Sequence, residues 1–536
     1  MISNPFKSYR RSRLRSLMRG FRIALRTNKI RNIRDLESAL VDLKAPVSIG
    51  WGERFIFGSI SRKAEIVIRQ FILQRYAGPP LHKALFCRLG SGERALTYPM
   101  PSFWQKVMID NNVSVNGHVS SWSWGVFIVL RYLHGLSLII SLVLKGLWSG
   151  FSPASRDIEV HAYFDGLHER NLPRSALGQS GFEICSWYSR WSDRASEIKA
   201  LGHNVAGRSH VNVNNLTVKY LPEPYAYLTS IRETFRFLNW AVPSLFLAFG
   251  SILFGRWWNA LILAEAARAK VVSLKKKNTL ASDYLFHFSR SIYRPMWTYA
   301  AENKGSRILC YFYSTFAEPS MKREVAGQKY EWGPSTWPSF LVWDHYQAEV
   351  LRRDLGDSTS VLVVGPIAFS DSAAELPKVP TNSIAVFDIQ PQRKSRTFGI
   401  STVYNYYYTD PSVHYRFLKD VEATLRACRF TALIKAKRDI FADGDAPYDT
   451  LLREMSNRDN VLIIPSEISA PRLMRECLGS ISAPFTSTAL YFQEKGYSSV
   501  YYDPSCILDK ADPAAHGVRV LSGKKELMDW VIGLST

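Results

Sequence analysis

From Ser383 onward the chain alternates short apolar runs with stretches of helical period. The runs are SIAVFDI, TALIK (Thr431 to Lys435), NVLIIP (Asn460 to Pro465), GSISA and SSVYYD. Between and after them lie PSVHYRFLKDVEATLRACRF, a segment near Tyr448 to Ser456, APRLMREC, the stretch after PFTST, and KKELMDWVIGL. Strands separated by helices of this length predict βαβ units on a parallel sheet, and five of them predict a doubly wound domain. Upstream, RDIEVHAYFDGLH (Arg156 to His168), DYLFHF, RILCYFYS, FLVWDHYQAEVLRRDLG and SVLVVG predict further strands, with RPMWTYAAENKG as a helix. The piece SDSAAELPKVPTN, residues 370–382, has the composition of a linker. An N-terminal domain over 36–369 and a C-terminal one over 383–536 follow, with nothing assignable between 36 and 120.

Two longer apolar stretches interrupt the first domain. WSWGVFIVLRYLHGLSLIISLVLKGLW (122–148) carries Arg131, His134 and Lys145, and FLNWAVPSLFLAFGSILFGRWW (237–258) contains Pro243. Both approach the ~20 apolar residues that a spanning helix needs. Tryptophan at both ends of the first, and within and at the end of the second, suits helices that lie in or dip into an interface. Spans and buried core helices are the other two readings.

Charge sharpens this picture. The 536 residues carry a net +22, and eleven of the cations, from Lys7 to Arg34, precede the first acidic residue, Asp35. Leu14, Leu17, Phe21 and Leu25 interleave them, so residues 1–35 form a basic amphipathic arm suited to an anionic membrane surface. No nucleic-acid partner is expected, because the aromatics gather in apolar stretches rather than among the basic residues. The six cysteines stand far apart without metal-ligand spacing, which predicts free thiols in a reducing compartment.

Chemistry is expected where predicted strands hand over to loops, since doubly wound sheets bind ligands at their carboxyl ends. Asp388, Lys435 with Lys437 and Arg438, Glu467, Pro484 to Thr488, and Tyr502 with Asp503 all fall there in the C-terminal domain, and Gly365 ends the last upstream strand. Thr486, Ser487 and Thr488 open a predicted helix. They are either its cap or, with the Lys-Arg cluster, the walls of a phosphate site. No Glu or Gln follows at capping-box spacing. In the first domain, Asp165 and His161 are the candidate general bases. Asp165-Gly166 also suits a plain turn, and His168, Glu318 and Glu331 compete for the role. Arg294 and Tyr313 could face the cleft of the first domain, toward an acceptor or a carboxylate. The DGD at 443–445 resembles a metal-binding Asp-x-Asp but sits in a loop away from the expected strand ends, so no metal is expected.

The run SAPFTSTALYFQEKGYSSVYYDP resembles the signature of bacterial polysaccharide-biosynthesis proteins named for a Pro-Phe-Thr-Ser motif, matched by Pro484, Phe485, Thr486 and Ser487. The order VVGPIAF, linker, IAVFDIQP, LIKAKRD, LIIPSE, PFTST is similar to the second half of GT-B glycosyltransferases. In their sialyl- and Kdo-transferase groups a basic strand end and a later Ser/Thr pair hold the phosphate of a CMP-sugar. Lys437-Arg438 stands here where sialyltransferases usually have His-Pro.

The resemblance implies an α/β, GT-B-like fold, with two Rossmann-like domains facing a cleft, a basic arm and membrane-associating helical insertions. The implied activity is metal-independent transfer of a sugar, such as a CMP-activated acidic sugar, in capsule or O-antigen synthesis. The donor is a nucleotide sugar acting as substrate, with no cofactor. The acceptor is a lipid-linked glycan at the cytoplasmic face of the bacterial inner membrane. A polyol-phosphate transferase using a CDP-alcohol, and a non-catalytic membrane scaffold, are the alternatives.

Overall fold

The computed structural model describes a short helical piece within 16–20, residues 48–150 apart from 78, 93 and 94, 162–165, pieces between 187 and 230, and 231–287. It also describes 293–312, 315, 335–367, 375–391, 411–435, and 446–534 apart from 467. Most of the basic arm and the Lys437-Arg438 loop lie outside these residues.

The segment that the sequence left unassigned is helical: α1 (Trp51–Phe57), α2 (Ala64–Ile72), α3 (Pro79–Gly90) and α4 (Ser102–Asp110). The helical piece of the arm packs on the end of α3, where a Cβ on Gly90 would fall 2.5 Å from the Leu17 carbonyl oxygen. Glycine is the residue for such a close backbone approach.

The first sheet comprises β1 (Ala162–Asp165), β2 (Glu197–Leu201), β3 (His210–Val213), β4 (Leu216–Leu221), β5 (Asp283–His287), β6 (Arg307–Tyr311), β7 (Ser339–Val342) and β8 (Ser360–Val363). Their order is β3-β4-β2-β1-β5-β6-β7-β8. All neighbours are parallel except β3 and β4. Its helices include α5 (Gly117–Gly150), α6 (Ile231–Leu253), α7 (Trp258–Leu261), α8 (Leu263–Leu274), α9 (Met296–Asn303) and α10 (His345–Leu355).

The second sheet comprises β9 (Ser383–Phe387), β10 (Thr431–Lys435), β11 (Val461–Ile464), β12 (Gly479–Ser482), β13 (Ser498–Asp503) and β14 (Arg519–Ser522). Its helices among the described residues are α11 (Pro411–Ala427), α12 (Ala446–Ser456), α13 (Ala470–Met474), α14 (Ser487–Glu494) and α15 (Gly523–Gly533). All six strands are parallel in the order β11-β10-β9-β12-β13-β14. Counted from β9 this is 3-2-1-4-5-6, the order of a dinucleotide-binding fold. Five of these strands match the sequence expectation, and β14 is the sixth. The chain is thus two doubly wound α/β domains.

The domains share a core. Phe485, Leu490, Tyr501 and Val520 of the second join the hydrophobic cluster of the first. Asp344, which caps α10 by accepting from the Gln347 N–H, also bonds His516 Nδ1 at 2.7 Å, and Arg353 pairs with Asp512 at 3.0 Å.

The apolar stretches form α5 and α6, two continuous helices long and apolar enough to cross a membrane. Only 22% and 28% of their apolar windows are buried, so the reading as core helices is overturned.

Candidate functional site

A doubly wound sheet opens a crevice at its carboxyl edge where the strand order reverses, because the flanking helices leave in opposite directions. In the second sheet this place lies between β9 and β12. Phe387 and Ser482 are paired there, and the Ala483 N–H donates to the Phe387 carbonyl at 2.7 Å.

Four buried polar atoms surround this reversal without a hydrogen-bond partner among the described residues. They are Asp388 Oδ2 and Gln390 Oε1 beyond β9, Ser482 Oγ at the end of β12, and Thr488 Oγ1 in the first turn of α14. Buried polar groups are nearly always paired, so four orphans at one strand-order reversal single it out as the ligand edge. Burial pushes the Asp388 carboxyl up to about 7, because nothing nearby supports its charge beyond its own backbone.

The Pro484-Phe485-Thr486-Ser487 turn joins β12 to α14. Phe485 adopts φ +70°, a left-handed conformation costing roughly 1–2 kcal/mol in a non-glycine residue. Its ring is buried in the core shared by the two domains, which offsets that strain. Thr486 is the N-cap of α14 but does not cap it through its side chain. Its hydroxyl donates back to the Ala483 carbonyl at 2.8 Å, while the Tyr501 hydroxyl donates to the Thr486 carbonyl at 2.9 Å. The turn is therefore braced, and the helix start is left without a side-chain cap. A helix start in this state offers N–H donors and the positive end of its dipole to an anion. Ile389, Val413, His414, Phe417, Pro484 and Pro504 line a shallow depression beside it, partly from the first turns of α11.

Lys435 ends β10 on the same edge, buried, with Nζ donating to the Ser466 carbonyl at 3.0 Å. Lys437, Arg438 and Glu467 lie outside the described residues. Two other expectations are corrected. The Tyr502 hydroxyl donates to Asp420 Oδ2 at 2.8 Å and its ring packs on Phe417, so this side chain belongs to the core. The Asp503 carboxylate accepts from the backbone N–H of Ser505, Ile507 and Leu508 and shapes its own loop.

In the first sheet the order reverses between β1 and β5. Asp165, half-buried, ends β1 in register with Phe286. His287, the next residue, ends β5 with its ring 5.5 Å from that of Tyr311, and burial lowers its imidazole to about 4. Sequence reasoning passed over His287, although a histidine closing a predicted parallel strand was the available signal. His161, His168, Glu318, Glu331, Tyr313 and the DGD loop lie outside the described residues.

Arg294 is buried and fully engaged. It donates to Thr298 Oγ1 and the Thr336 carbonyl, pairs with Glu302, and lies 3.9 Å from the Tyr299 ring, which corrects its expected place facing the cleft. Gly365, at φ +81°, lies past the edge strand β8 with its carbonyl accepting from Trp187 Nε1 at 3.0 Å. It is a strut of the first domain, not part of the β9/β12 edge.

The family described as "Polysaccharide biosynthesis PFTS motif protein" matches residues 244–531, more than half of the chain. No curated protein matches it. Among solved structures, the chain is similar to the glycotransferase of kitacinnamycin, with a TM-score of 0.35 at 10% identity over 71% of this chain and 91% of that one. It is also similar to Phytolacca americana apo UGT2, with a TM-score of 0.32 at 10% identity over 69% and 83%.

Proposed function

The chain belongs to the polysaccharide-biosynthesis PFTS-motif family, and from that premise we propose that it is a glycosyltransferase moving a sugar from a nucleotide donor to a membrane-linked glycan. The observation that carries this reading is the α14 start without a side-chain cap, beside the orphaned Asp388, Gln390, Ser482 and Thr488.

A donor phosphate sits against the first turn of α14 and the hydroxyls of Thr486, Ser487 and Thr488, with Lys435, Lys437 and Arg438 as the cationic side. These donors stabilise the departing nucleotide phosphate as its bond to the anomeric carbon breaks, without calling on a metal. Asp165, with His161 as the competing candidate, takes the proton from the acceptor hydroxyl as the new glycosidic bond forms. The donor is a CMP-activated acidic sugar, and the glycan is of capsule or O-antigen type. The enzyme works on the cytoplasmic face of the inner membrane, held there by the arm and the apolar helices.

Purified protein incubated with a panel of CMP- and UDP-sugars and a lipid-linked acceptor tests this. The expected result is nucleotide binding and a glycosidic product, both weakened in Lys435→Ala and Thr486→Ala. A phosphodiester product from a CDP-alcohol would identify a polyol-phosphate transferase instead. Neither binding nor turnover, with both variants indistinguishable from wild type, would leave a scaffold.

A further inference from the structure

The antiparallel pair α5 and α6 presents one continuous apolar face. On α5, Trp122, Val126, Leu133, Ile140 and Leu144 are exposed, and on α6, Phe235, Val242, Phe246, Phe249 and Leu253 are. Each set recurs at helical spacing, so each forms a single stripe. The helices touch edge to edge, with the Tyr132 hydroxyl donating to the Leu245 carbonyl at 3.4 Å and its ring 5.9 Å from Phe249.

The opposite side of α5 is packed on the soluble body along its length. Trp124, Ile128, Ile139 and Leu142 are core residues and Gly135 lies against Leu263 of α8, while Gly146 lies against Leu228 and, across the helix pair, Thr234 of α6. Helix α8 carries the Glu265–Arg268 pair and Lys270 and packs in turn on α9. A bilayer-spanning α5 would pull these charges and the sheet behind them into hydrocarbon, which is costly.

The edges of the face are basic. On α5, exposed Lys145 stands on the side turned away from Tyr132 and hence from α6, while Arg131 turns inward, donating to the Leu261 carbonyl at 3.4 Å and lying over the Phe71 ring. On α6, Arg232 and Arg236 are exposed, and Arg236 is nine residues, half a revolution, from Leu245 on the α5 side. An apolar face with cations along both outer flanks matches acyl chains below and anionic headgroups beside them.

We propose that α5 and α6 form a raft lying in the plane of one leaflet of an anionic bilayer, apolar face down, without crossing it. This deepens the membrane association proposed above, rests on it, and is independent of the sugar chemistry.

The full chain, with exposed Cys87 and Cys506 changed to serine, takes one nitroxide at a time at Val126→Cys, Leu133→Cys, Ile140→Cys or Leu144→Cys. Depth is then measured on vesicles of phosphatidylglycerol and phosphatidylcholine. An in-plane raft places all four labels at one depth, ~5–10 Å below the headgroups. A spanning helix separates central from outer labels by roughly 13 Å, which would overturn the raft and spare the membrane association. Labels unaffected by vesicles would overturn both. Mutual broadening between labels without lipid would make the face an interface between two copies and overturn the raft. In a second arm, Arg232→Gln with Arg236→Gln weakens binding to anionic vesicles about thirtyfold and leaves binding to neutral vesicles unchanged. An equal loss on both lipids would overturn the basic flank.

Discussion

Each sheet reverses its strand order beside an aspartate, Asp165 in the first and Asp388 in the second, and the two carboxyls live in opposite surroundings. Asp165 is half-buried, with His287 beyond its register partner. Asp388 is 5% exposed, with one oxygen unpartnered among the described residues, and it stands among other orphaned polar atoms. The same topology thus offers one edge that ends in a half-buried carboxylate, and another whose buried polar atoms have no partner among the described residues. Under the proposed function the first edge serves the acceptor and the second holds the nucleotide.

The comparison breaks first at Asp165. Asp165→Asn is expected to lower kcat by about 10²–10⁴-fold while leaving nucleotide Kd unchanged. If Asp165→Asn turns over normally and His287→Gln does not, the proton passes to the histidine at the end of the neighbouring strand.

Asp388 gives the next largest effect, in stability. Its carboxyl is raised from 3.8 to about 7 in the fold, so the folded state holds a proton that the unfolded chain gives up near 4. Stability from this group is fully present below the unfolded value and is lost as pH rises toward 7. The loss amounts to roughly 4 kcal/mol at most, at 1.36 kcal/mol per unit. Asp388→Asn keeps the shape and removes the titration, so thermal melts should show a flatter profile from pH 4 to 7 than wild type. Parallel profiles would mean that this carboxyl is ionised in place.

The α/β alternation made the second domain legible, because its strands are short apolar runs between periodic helices. β14 was missed since RVLS offers four residues with two polar ones at its ends. The helices α1 to α4 left no such signature, being short and closely spaced. At the site, strand ends located Asp388, Lys435 and the PFTS turn, because position along a parallel strand fixes which edge a residue reaches. Side-chain direction is a different matter. Tyr501 and Tyr502 are neighbours on one strand, yet the pleat sends the first to the PFTS turn and the second into the core. Arg294 looked like a ligand for an anion until its internal partners were visible.

Ser487→Ala combined with Thr488→Val tests the anion reading of α14 with a smaller effect. Loss of hydroxyl donors to a charged phosphate costs ~1.5–3 kcal/mol, a tenfold to hundredfold weaker nucleotide Kd by calorimetry. The free protein should melt no lower, because Thr488→Val removes a buried hydroxyl that has no partner among the described residues. A lower melting temperature with unchanged affinity would return Thr-Ser-Thr to a structural role.

The smallest effects come from the two tyrosines, and their contrast is the sharpest. Tyr501→Phe removes the hydrogen bond to the Thr486 carbonyl, worth ~1 kcal/mol, and loosens the turn that holds the α14 start. Its nucleotide Kd should rise a few-fold. Tyr502→Phe removes a donor from Asp420, which keeps Lys524 at 3.0 Å, so stability falls by ~1 kcal/mol with no change in Kd. If both variants shift Kd equally, the pleat does not separate a ligand-bracing tyrosine from a core one, and the second edge is less specialised than its orphaned atoms imply.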